Sequence, residues 1–147
     1  VLFGGSNRPF RSEGTPFQWL TRDREEVSKY MLDPDCGQVY KTTFYYDLID
    51  GVSELHRKLE EDKLRSLRKD FPILLFSGTK DPVGGFSKGV RQVYDAYKRN
   101  GFTDVTCKLY EDGRHEMLHE INREDVFADV IRWLDDRLEG VEKPHEG

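Results

Sequence analysis

Pro72-Ile73-Leu74-Leu75-Phe76-Ser77-Gly78-Thr79-Lys80-Asp81-Pro82-Val83 decides the fold class of this 147-residue chain. The apolar run from Ile73 to Phe76 has the length of a strand and no alternation, which suits a parallel strand covered on both faces. Asp81 stands just past its end, and Pro82 sets the direction in which the chain leaves. Ser87 to Asn100 then carries Val90, Val93, Tyr94 and Tyr97 on one helical stripe, with Gly101 placed to stop the helix. Val105, Cys107 and Leu109 alternate as a second strand, which runs into Gly113-Arg114-His115. Strand, helix, strand reads as a right-handed parallel crossover, and so as an α/β protein. The crossover brings one carboxylate and one imidazole to the ends of adjacent strands, where loop side chains meet over a sheet edge. Two parallel strands do not make a stable sheet, so further strands are expected upstream or in a partner.

The rest of the chain supplies helices. Residues 1–20 read as loop, because Gly4, Gly5, Pro9, Gly14 and Pro16 break any rhythm among Phe10, Phe17, Trp19 and Leu20. From Asp23, a candidate cap with Glu26 three residues on, a helix places Val27, Tyr30 and Met31 on one face and ends before Pro34. A second runs from about Thr43 with Phe44, Leu48, Val52, Leu55 and Leu59 at near-fourfold spacing. A shorter one from about Asp62 carries Leu64 and Leu67 and stops before Pro72. The last starts near Asn122, whose side chain can cap it, and packs Val126, Phe127, Val130, Ile131, Trp133, Leu134 and Leu138. The tail from Gly140 to Gly147 is expected to be mobile.

Composition narrows the function classes. The 23 basic and 28 acidic residues are interleaved, with a net charge of −5, so the clustered cationic face of a nucleic-acid binder is missing. At 12% the aromatic share is too high for a disordered chain. No apolar run approaches the roughly 18 residues that a membrane span needs. Cys36 and Cys107 lie far apart without ligand spacing, which makes free thiols and a reducing cytoplasm the expectation. The chain opens Val1-Leu2-Phe3 without an initiator methionine, and an upstream segment is expected.

Asp81 and His115 are the candidate catalytic residues. A histidine base needs a carboxylate that holds its tautomer and stabilises the imidazolium, and their order matches Ser, then Asp or Glu, then His in α/β-hydrolases. Pro72 to Gly84, together with Leu109-Tyr110-Glu111-Asp112-Gly113-Arg114-His115-Glu116 and the terminal amphipathic helix, resembles the C-terminal half of the monoacylglycerol lipase and lysophospholipase-like α/β-hydrolases. Asn7-Arg8-Pro9-Phe10, Phe17-Gln18-Trp19-Leu20 and the helices before Pro72 resemble the cap inserted in that family. The resemblance implies a cap and connecting helices over 1–70, the end of the core over 71–139, and a flexible tail over 140–147. It also implies a serine hydrolase acting on carboxylic esters of lipid-like substrates, in which Asp81 orients His115 and His115 serves a nucleophilic serine. That serine, the oxyanion groups and the earlier core strands would precede Val1, making the missing N-terminal half the partner. No metal and no organic cofactor is implied. The competing expectation is an inactive hydrolase fragment with a structural or binding role.

Two short motifs imitate other chemistries. Gly85-Phe86-Ser87-Lys88-Gly89 spells a nucleophile elbow, but it stands about ten residues beyond the strand and follows Asp81 instead of preceding it, so it reads as the start of a helix. His115-Glu116-Met117-Leu118-His119, with Glu139 downstream, spells a zinc protease motif, the less favoured alternative, which requires both imidazoles on one helix face. The glycines from Gly78 to Gly89 lack the Gly-Lys-Ser/Thr ending of a phosphate loop. Phe10, Phe17, Trp19, Tyr45 and Tyr46 line an acyl pocket on one reading and simply form core on the other.

Overall fold

The computed structural model describes residues 5–60 and 67–138, with the backbone alone for 58–60. Helix α1 spans Arg24–Leu32 and α2 Thr42–Glu60; strand β1 spans Ile73–Gly78, α3 Lys88–Arg99, β2 Val105–Tyr110 and α4 Arg123–Leu138. The two strands pair in parallel, with Ile73 opposite Val105 and Gly78 opposite Tyr110. The ladder is bracketed by Ile73 N–H donating to the Asp104 carbonyl and Thr79 N–H donating to that of Tyr110, both at 2.9 Å.

Helices cover the sheet on both sides, as an unbroken apolar strand requires. Helix α4 lies along the face that carries Leu74, Phe76, Thr106 and Tyr110. There the Trp133 indole donates to Thr106 Oγ1 at 3.1 Å, and the Tyr110 hydroxyl donates to Asp129 Oδ2 at 3.0 Å. Val126, Met117 and Tyr110 form the buried cluster under this helix, with Phe76 packed against it. Helix α3 covers the opposite face, where Arg91, Tyr94 and Asp95 stand over Cys107 and Leu109.

Most boundaries follow from local chemistry. The Asp23 carboxylate caps α1 by accepting from the Glu25 and Glu26 amides at 2.9 and 3.4 Å. Gly101, at φ +83°, takes the left-handed turn that ends α3. Four details differ from expectation. Phe127, Ile131, Leu134 and Leu138, read as packing residues of the last helix, are exposed. The stretch read as loop contains a 3₁₀ segment at Arg8–Glu13. Asn122 Oδ1 accepts from Arg22 Nη2 at 3.0 Å, so this side chain holds the N-terminal segment, and at the start of α4 it is the Asn122 backbone carbonyl that accepts from the Asp125 and Val126 amides. Leu67 lies in a bend and residues 68–71 are turn and irregular backbone instead of the expected third helix, while Asp62 and Leu64 and the tail from Gly140 fall outside the described residues.

Helix α2 is amphipathic as its spacing predicts, yet Phe44, Leu48, Val52 and Leu55 all remain exposed, Leu55 at 61%. Among the described residues, α3 buries no side chain completely and the strand residues are mostly half-buried. Apolar faces of this size normally lie against another layer.

Candidate active site

A backbone contact between glycines brings the two strand-end loops together. A Cβ on Gly78 would stand 2.0 Å from the Gly113 carbonyl oxygen and 2.1 Å from its carbon, so only glycine fits there. Across this contact Lys80 N–H donates to the Gly113 carbonyl at 2.8 Å, and Asp112 N–H donates to Thr79 Oγ1 at 2.8 Å. Asp81 and His115, the next side chains along each loop, therefore face one another.

His115 Nδ1 lies 3.1 Å from Asp81 Oδ1. Asp81 is 6% exposed, and its carboxylate also accepts from Val83 N–H at 2.8 Å and Ser77 Oγ at 3.4 Å. Burial pushes this carboxyl up, but the hydrogen bond and charge of His115, with the Val83 and Gly84 amides, carry it below its ordinary 3.8. The Asp81 hydrogen bond raises the imidazole above its ordinary 6.5, and burial opposes without cancelling it. Nδ1 is thus committed to Asp81, and Nε2 is the nitrogen left to exchange a proton with a reacting group.

The His115 loop is tied to the N-terminal segment. His115 N–H donates to the Trp19 carbonyl at 3.4 Å and Glu116 N–H to that of Leu20 at 2.7 Å, and the Trp19 ring sits 5.1 Å from the imidazole. Arg114 is buried over the Phe10 ring, donating to the Gln18 carbonyl at 2.5 Å and to Glu13 Oε1 at 2.6 Å. Glu120 has no exposed surface. Its carboxylate accepts from the backbone amides of Arg114, Arg22 and Ile121 and from Arg22 Nε, all within 3.2 Å. These four donors let a buried charge stand. Arg114 stands out in the sequence only as the middle of the Gly113-Arg114-His115 turn, and Glu120 carries no motif or periodicity, so nothing in the sequence marks either as a buried clamp.

The imitating motifs do not assemble as their alternatives require. His119 Nδ1 turns to Glu116 Oε2 at 2.9 Å while His115 turns to Asp81, and residues 117–119 form one 3₁₀ turn, so the two imidazoles do not share a helix face. Glu139 lies outside the described residues. Ser87 is buried at the start of α3, well past the strand end at Gly78, with φ +73°. Among the described residues no serine hydroxyl bonds to His115. Of the five aromatics singled out, Phe17, Trp19 and Tyr45 line a cavity, Phe10 is core beneath Arg114, and Tyr46 is exposed. Cys36 and Cys107 are free thiols, and among the described residues no helix is long and apolar enough to cross a membrane.

Parallel strands with helices on both faces and an Asp–His pair over their ends are the C-terminal portion of an α/β-hydrolase fold. Residues 6–122 match the sequence model of the serine aminopeptidase S33 family, and the chain belongs to that family. Its fold is similar to that of a highly thermostable carboxyl esterase from Bacillus coagulans solved in complex with glycerol, with 23% identity and a TM-score of 0.75. The match covers 92% of this chain and 43% of the esterase, so the chain spans less than half the length of that protein.

Proposed function

We propose that this chain provides the acid and base of a Ser-Asp-His triad in a serine hydrolase that cleaves carboxylic esters of lipid-like substrates, of the lysophospholipase or monoacylglycerol lipase type. The observation that carries the reading is the 3.1 Å contact between Asp81 Oδ1 and His115 Nδ1, over the ends of two parallel strands. In this scheme His115 Nε2 takes the proton of a serine supplied from outside residues 1–147 as the hydroxyl attacks the ester carbonyl. It returns that proton to the leaving alcohol, and Asp81 stabilises the imidazolium in between. Water repeats the sequence to free the acid. Residues 1–70 act as the cap, a role supported by Trp19 lying against the imidazole. The Bacillus coagulans relative, described as a carboxyl esterase, favours ester over peptide hydrolysis despite the family's peptidase name.

The test is labelling by a fluorophosphonate, which reacts with an activated serine, together with hydrolysis of an aryl ester. The intact protein is expected to label, and Asp81→Asn and His115→Ala are each expected to lower labelling and turnover by about 10³-fold or more. Undiminished labelling in both variants would remove the basis of the reading. Residues 1–147 on their own are expected to stay unlabelled, and labelling abolished by Ser87→Ala would move the nucleophile into this chain.

A further inference from the structure

We propose that the aromatic cavity beside the Asp81–His115 pair binds an anionic amphiphile, and that Arg11 is the residue that reads its charge. The cavity holds about 600 Å³, within the range of small-molecule sites. Phe17, Trp19, Tyr30 and Tyr45 supply ring surface, and Arg11 lies on the same wall. Trp19 also packs on His115, with the two rings 5.1 Å apart, so one residue of the cavity lining also touches the imidazole.

The Asn, Thr, Gln and Tyr side chains of the lining each take part in a hydrogen bond within the protein, whereas among the described residues Arg11 does not. Asn7 donates to the Thr15 carbonyl at 2.7 Å and accepts from Trp19 N–H at 3.1 Å. Thr15 Oγ1 accepts from Phe17 N–H, and Gln38 donates to the Pro34 carbonyl. The hydroxyls of Tyr30 and Tyr45 accept from the amides of Gly37 and Tyr40. The Arg11 guanidinium makes no ion pair or hydrogen bond among the described residues, although acidic residues outnumber basic ones by 28 to 23. Ring walls with one uncommitted guanidinium suit an apolar body that ends in a carboxylate or phosphate. A neutral glycerol ester would leave the cation unused.

The proposal rests on the hydrolase reading only in taking the ligand as substrate: esters that carry an anionic group away from the scissile bond would be preferred to neutral ones. The test is calorimetric titration of the intact protein with octyl phosphate, with octanoate and with the neutral, non-hydrolysable ether 1-O-octylglycerol. At least one anion is expected to bind about fivefold or more tighter than the ether at low ionic strength, with the gap narrowing as salt is added. The anion that binds better identifies the head group. Arg11→Ala is expected to abolish the gap while leaving ether binding unchanged, and Arg11→Lys to retain most of it. Arg11 is exposed, so neither change threatens the fold. Equal affinity for the ether and both anions, or a gap that survives Arg11→Ala, would overturn the proposal. Binding needs no serine and is expected to persist in His115→Ala, so loss of the charge preference leaves the hydrolase reading standing, and loss of labelling leaves this one standing.

Discussion

Asp81 and His115 each hold the other's charge, and their pH dependence follows from the directions of the two shifts. The imidazole is raised above 6.5, so its contribution to stability is fully present below that pH and is lost as pH rises through the folded value. The carboxyl is lowered below 3.8, so its contribution is present above that pH and is lost as pH falls through the folded value. The ion pair therefore supports the two loops most between 3.8 and 6.5. Catalysis asks for the opposite state of His115, since only the neutral imidazole accepts a proton. The acid limb of kcat/KM is accordingly expected above 6.5. Asp81→Asn removes the raising influence and leaves burial, which favours the neutral ring. The His115 titration followed by NMR is expected to move below its wild-type position, and an unchanged midpoint would show that the contact does not form in solution.

At the scale of elements, the dyad depends on two strand ends approaching closer than any side chain permits. Gly78→Ala drives a Cβ into the Gly113 carbonyl, with backbone on both sides and no flexible side chain to yield. The expected cost is at or above the upper end of the roughly 1–3 kcal/mol typical of overpacking. It should come with a His115 titration midpoint that moves in the same direction as in Asp81→Asn, as the loops part. Gly51→Ala in the exposed part of α2, where nothing lies within 4 Å of the added Cβ, is the control and is expected to stabilise by about 1 kcal/mol. Chemical denaturation of the two variants checks both values, and similar midpoints would mean that the glycine contact is not tight. The turn residues Gly78 and Gly113 are conspicuous in the sequence as parts of motifs. That they touch is a property of the parallel register, which places Gly78 opposite Tyr110 and so beside the turn that follows it.

Over the whole molecule, Arg114 and Glu120 in the stretch after β2 bind the segment before α1, which lies 96 to 101 residues earlier in the chain. Glu120→Ala leaves three backbone amides and Arg22 without their acceptor, and is expected to cost about 3 kcal/mol or more. It should also release residues 5–22 to proteolysis before the sheet unfolds, whereas Glu120→Gln, which keeps the acceptor oxygen, should lose less. Cleavage spread evenly over the chain would instead mean that segment and sheet unfold as one unit. The elements were legible in the sequence because helix and strand periodicity, an Asp cap and a Gly stop are set by neighbours a few residues away. So was the pairing of Asp81 with His115, because a parallel crossover with an apolar strand at each end has few ways to place its loops. The amphipathic stripe of α2 was equally legible, but what it packs against was not, and it stays exposed among the described residues. Glu120 and Arg114 looked like two more charges in a chain rich in them, and Phe10 and Phe17 looked alike. Only the tertiary structure made the first pair a buried clamp, and set one ring in the core and the other in the cavity wall. Burial and charge pairing depend on contacts between distant segments, and a single sequence records no such contacts.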